Sequence, residues 1–250
     1  MPGVFSLKLQ TIRVRRSRPS APALALALAL TMLFVYLISL SAGSQEEAAG
    51  AAAAAVGEAE VRMEGLEAAF ICDALCGDLT EARVAAANCA NGGGAGILLR
   101  EEEQYAVVRE AVSPDAAPEG ALRRGAGGLT LRLSGPAAEI AAVSDAVTFL
   151  RAQATETGSL AGALESGGTD AKSLAALLEV YRTQGAHARS GLEEISGQSA
   201  AVARLQSAVQ SELDRLDGAI RCPDAGKMKL IHAAACGEWI SLLNALSEAA

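Results

Sequence analysis

Large aromatic side chains are what this sequence most lacks. Phe, Tyr and Trp together make up 3% of its 250 residues, with a single Trp. That scarcity excludes a core built from big rings, the side chains that bury the most apolar area each. The 51% hydrophobic content is rich in alanine, which buries little, so the fold is expected to rest on helices of modest stability. Histidine is nearly absent too. His187 and His232 are the only two, and neither sits at a recognisable hydrolase or metal spacing. Basic charge is also short. Removing the five Lys and Arg before residue 21 leaves 16 basic against 29 acidic residues, a formal charge of −13, which excludes nucleic acid as a natural partner.

Other chemistry is missing at the level of motif. The glycines at 92–94 have no following Lys-Ser/Thr and no βαβ frame, so a phosphate cradle is not expected. Glu193 and Glu194 fall in a helical surface pattern, and Glu101, Glu102 and Glu103 read as a solvated turn rather than a cation cage. The sequence therefore points to a protein that is not an enzyme and needs neither cofactor nor metal.

What is present begins with an address. Lys8, Arg13, Arg15, Arg16 and Arg18 precede an uncharged apolar run at 21–42, and the first acidic residue is Glu46. The run is long enough for a membrane-spanning helix, and the basic flank sets the N-terminus in the cytoplasm. A cleaved signal peptide is the competing reading, because Ser41, Ala42 and Gly43 suit a signal peptidase, although the run exceeds a typical signal core. Both readings export the rest. The expected order is a basic tail at 1–20, a transmembrane helix at 21–42, an Ala-rich linker at 43–60, an α/β unit at 61–135 and a helical region at 136–250.

Five cysteines cannot all pair within one exported molecule. A Cys222 to Cys236 bridge across the turn at Pro223 and Gly226 is one expectation, small buried thiols are another, and a zinc site from Cys72, Cys76, His232 and Cys236 is a third.

The most patterned stretch runs from Ala82 to Val112. Asp78 stands at an N-cap position with Glu81 three residues on, and the helix they open stops at Asn91-Gly92-Gly93-Gly94. Ile97, Leu98 and Leu99, the charged turn at 100–103, and Tyr105, Val107 and Val108 then form a hairpin pattern. The segment 61–70 fits either a strand or a helix. Alternation puts Tyr105, Val107 and Arg109 on one side of the second hairpin strand and Gln104, Ala106 and Val108 on the other.

The capped helix, Gly93-Gly94-Ala95-Gly96, Tyr105-Ala106-Val107-Val108, Pro114-Asp115-Ala116-Ala117 and the strand-like GLTLRLSG at 128–135 together resemble a SPOR (sporulation-related repeat) domain. The likeness is to the variant found behind a single transmembrane helix in clostridia-like bacteria, and it covers 61–135. It implies an α+β fold, with a small SPOR-like module ahead of a helical hairpin or bundle. It also implies binding to peptidoglycan, as glycan strands stripped of stem peptides, at division or sporulation septa. An exposed Tyr105 flanked by Arg100, Gln104 and Arg109 would stack on a sugar ring and hydrogen-bond its hydroxyls. The competing place for Tyr105 is a core beneath a helix.

From Pro136 the periodicity is helical. Breaks fall at Gly158 and Gly167-Gly168, Asp170 caps the next helix, and Leu192, Ile195, Val202, Leu205, Val209, Leu213, Leu216 and Ile220 form a seam read as one long helix packed on its predecessor. The tail containing Trp239 reads as an amphipathic helix that caps the bundle. An alternative function follows from this half: a structural or interaction protein whose helices recruit another envelope component.

Overall fold

The computed structural model describes residues 56–195 and 199–248. The basic tail, the apolar run at 21–42 and nearly all of the linker lie outside the described residues, as does any test of an anchor there. Among the described residues no helix is long and apolar enough to cross a membrane.

The chain is mixed α+β. Its elements run β1 (Val56–Met63), β2 (Leu66–Cys76), α1 (Leu79–Asn91), β3 (Ile97–Glu101), β4 (Gln104–Val112), a 3-10 turn (Pro114–Ala116), β5 (Leu122–Ala126) and β6 (Leu129–Pro136). The helices α2 (Ala137–Glu156), α3 (Gly158–Glu165), α4 (Ala171–Glu193), α5 (Ala200–Arg221) and α6 (Ala225–Ser247) follow. The segment at 61–70, which fitted either element, is strand.

Four strands make an antiparallel sheet in the order β3-β4-β2-β5, and β1 pairs with β6. Because β4 lies between β2 and β3, the β2-α1-β3 passage is a split βαβ unit. The register is continuous through both sheets: Met63 faces Leu129 and Leu66 faces Ala126. So β1-β2 and β5-β6 are two long strands bent at one point. Gly65 and Gly128 make the bend, since a Cβ on Gly65 would lie 2.7 Å from the Ala126 carbonyl oxygen and one on Gly128 2.9 Å from that of Met63.

The capping residue of α1 acts as its sequence suggests. The Asp78 carboxylate accepts from the backbone N–H of Thr80 at 2.7 Å and of Glu81 at 2.9 Å, satisfying donors the first turn leaves open. At the other end Gly96 has φ +64°, and a Cβ there would meet the Ala86 carbonyl oxygen at 2.6 Å. Only glycine lets the chain turn under α1 into β3.

The sheet is covered on both faces. Val108 joins Phe70, Met63 and the helical core on one face, while Tyr105 and Val107 join Cys76 and the Ala82, Ala86 and Cys89 stripe of α1 on the other. The helix packed on the first face is α6, which also packs against α2, α3 and α5. Its Trp239 is 3% exposed and its indole N–H donates to the Glu64 carbonyl oxygen at 3.1 Å. The expected bundle cap is therefore the central helix, shared by sheet and bundle in one continuous core.

The long seam divides in two. Leu192 belongs to α4, Ile195 lies beyond its end, and α5 starts afresh where the Ser199 hydroxyl accepts from the Val202 N–H. The apolar spacing survived the break because both helices pack on α2 and on each other, so periodicity alone did not expose it.

Candidate functional site

Two opposed bulges organise the middle of the sheet. Ile71 pairs with Glu110, Cys72 with Val108 and Ala74 with Val107, so Arg109 is the extra residue on β4 and Asp73 the extra residue on β2. Bulges re-aim side chains, and here the two extra residues meet: the Arg109 guanidinium donates to the Asp73 carboxylate at 2.5 Å. That hydrogen bond holds the Asp73 carboxyl below its usual range.

The four residues expected to grip a sugar are placed as follows. Arg100 pairs with Tyr105 across the hairpin, and Gln104 pairs with Glu101. Arg100, Gln104 and Arg109 are exposed, whereas Tyr105 is half-buried. Its ring packs into the cluster beneath α1, the competing place for it named above. The hairpin thus brings Arg100 and Tyr105 together, and fixes Arg109 on Asp73. Glu102 and Glu103 are exposed, as a solvated turn requires. Glu101 turns inward instead, to the guanidinium of Arg124 on β5, with Nε at 2.9 Å. Arg124 Nη2 also donates to the Arg100 carbonyl at 2.7 Å, so one side chain ties together the two outer strands of a curled sheet.

The bulge also separates two cysteines. In a regular strand Cys72 and Cys76 would share a face, but the extra Asp73 between them sends Cys72 to the helical-core face and Cys76 beneath α1. The four expected zinc ligands therefore do not converge. Among the described residues no three His, Cys, Asp or Glu side chains are grouped to hold a metal. All five cysteines are free thiols, and the bridge weighed for Cys222 and Cys236 is not made, Cys222 being exposed and Cys236 buried.

Cys236 and His232 do adjoin each other on α6. The Thr157 hydroxyl donates to the Gln153 carbonyl at 2.5 Å and lies 3.3 Å from His232 Nδ1. With its proton so used, Thr157 can only accept there, which places the proton of a neutral imidazole on Nδ1. Burial holds His232 below its usual range and pushes the Cys236 thiol up to about 12. A thiol held protonated in this way is a packing group, not a nucleophile. Nearby, Glu212 is 1% exposed. One of its oxygens accepts from Arg215 at 2.6 Å and the other has no partner, while Arg215 is shared with Glu238. Burial pushes the Glu212 carboxyl up to about 8.

The most exposed chemistry lies elsewhere, at the corner where β2 passes into α1. Among the described residues the exposed large hydrophobic side chains are Leu75 (64%), Leu79 (39%) and Val84 (60%). They fall within ten residues of sequence. Beside them β2 outruns its neighbour: β5 pairs with it only through Phe70, and residues 71–76 carry β4 on one side and no strand on the other. An open groove of about 540 Å³ lies along that side, between residues 72–75 and residues 120–123. Sequence reasoning passed over this corner, although Val84 falls off the Ala82, Ala86 and Cys89 stripe and so was legible as an outward apolar residue. No family model, no curated protein and no solved structure matches the chain.

Proposed function

We propose that the chain is a non-enzymatic interaction protein of the cell envelope. Its N-terminal apolar run anchors it in the membrane with the N-terminus cytoplasmic, and the described residues stand outside the cytoplasm and present the β2-α1 corner to another protein. Among the described residues all three exposed large apolar side chains fall between residues 75 and 84, and that concentration carries the reading. Large apolar side chains left in solvent on an otherwise acidic surface mark a contact site. The anchor rests on the uncharged run at 21–42 and its basic flank. A photo-crosslinking amino acid at Val84 in membranes of the producing cell should yield a discrete heavier species that disappears on Leu75→Asp. Crosslinks no different from those at the exposed Thr148 of α2 would overturn it.

A second reading is binding of denuded peptidoglycan strands by a SPOR-like module. The split βαβ order and the exposed Arg100, Gln104 and Arg109 at the hairpin favour it, and the burial of Tyr105 leaves it without a stacking ring. Full-length protein in detergent should then pellet with amidase-treated peptidoglycan and lose that property in an Arg100→Ala, Gln104→Ala double variant. Pelleting no greater than that of an unrelated protein would remove it.

A further inference from the structure

The geometry points to strand addition at residues 71–76 of β2: an extended polypeptide segment of the partner pairs with this open edge, carrying apolar residues toward Leu75 and a carboxylate toward Arg123. The inference deepens the interaction reading above and rests on it.

An interior strand has its backbone groups used on both sides, and an edge offers one unfilled row of N–H and C=O groups. Here a single strand is both. Residues 66–70 of β2 are interior, between β4 and β5, and residues 71–76 are edge. The six edge residues include the bulge at Asp73, so an added segment pairs with Ile71 and Cys72 before it and with Ala74, Leu75 and Cys76 after it. A segment entering there would lie in the groove between residues 72–75 and residues 120–123.

The side chains around the slot state what the segment carries. Leu75 points off the strand into solvent beside it, so an alternating segment places an apolar side chain there. The nearby charges are largely satisfied within the protein: Asp73 by Arg109 and Glu101 by Arg124. Of the two charged residues that line the groove, Asp73 and Arg123, Arg123 is the one left without an ion pair among the described residues. It is exposed, donates only to the Pro114 carbonyl at 3.3 Å, and has no carboxylate partner among the described residues. An acidic residue in the partner segment supplies one.

The test uses full-length protein in detergent micelles and a phage library of random heptapeptides. Enriched peptides are expected to alternate apolar and polar residues with an acidic residue at one end. They should slow amide exchange at residues 71–76 and bind at least tenfold more weakly to Arg123→Glu and to Leu75→Asp. Both side chains are exposed, so both variants should keep the wild-type melting temperature. No enrichment, or binding without protection of residues 71–76, overturns strand addition. The crosslink at Val84 separates the two levels: a Leu75-dependent species without strand protection leaves the interaction reading standing and removes only this inference, whereas its absence removes both.

Discussion

The two faces of the sheet are covered by very different helices. On one face α6 packs on β2, β4 and β5, and Phe70, Met63 and Val108 share with Met228, Ile231, Trp239 and Leu243 one core that runs on through α2, α4 and α5. On the other, α1 brings Ala82, Ala86 and Cys89 onto Val107 and Cys76, and leaves Leu79 and Val84 in solvent. A side chain that buries more area gives up more when it is removed, so the first face carries the stability. The second is thin enough that its outward apolar residues are free for another use.

Truncation of the central helix should have the largest effect. Trp239→Ala removes a buried ring and the hydrogen bond to Glu64, and should cost about 3–5 kcal/mol, measured by urea unfolding. Next comes the hinge of the thin face. Gly96→Ala should cost about 1–3 kcal/mol, because it combines a positive φ with a Cβ inside contact distance of α1.

Glu212 tests the thick face in the opposite direction. Its carboxyl binds a proton more tightly when folded than when unfolded, so it contributes stability at acid pH that is lost as pH rises to about 8. Glu212→Gln should flatten that decline and gain about 1–3 kcal/mol at pH 8, by removing a buried charge with an unpaired oxygen. A thermal denaturation series from pH 5 to pH 9 reads both effects. Smaller still is Arg109→Ala. Its ion pair with Asp73 is half-exposed and screened by solvent, so its loss should cost less than any of the changes above by the same measurement.

Much of the fold was legible in single residues. Asp78 and Asp170 cap helices because their carboxylates reach the open N–H groups, as their positions promised. The hairpin at 97–112 followed from apolar alternation on either side of a charged turn. What stayed hidden depends on residues distant in sequence. The open edge exists because β5 begins at Leu122 and reaches β2 only at Phe70, and no local pattern in β2 records where a partner strand 52 residues away begins. The exchange of Cys72 and Cys76 between faces comes from one bulge residue, Asp73, which reads in sequence as an ordinary strand or helix position. The centrality of α6 was hidden for the same reason. An amphipathic period shows that a helix buries a face, not that the opposite face meets a second layer. Of the candidate site, Arg100 and Tyr105 meet across the hairpin and the place of Tyr105 beneath a helix was one of the two readings, but the sequence did not reveal that Asp73 would hold Arg109.

The contrast between a face that stabilises and a face that makes contacts is tested most directly by one double variant, Leu75→Asp with Val84→Asp, in the full-length protein. Its urea midpoint and its partner crosslink, read from a photo-reactive residue at Leu79, should be measured in the same preparation. Unfolding within about 0.5 kcal/mol of wild type, together with loss of the crosslink, is the expected result. Destabilisation as large as that of Trp239→Ala, or an undiminished crosslink, would contradict the account.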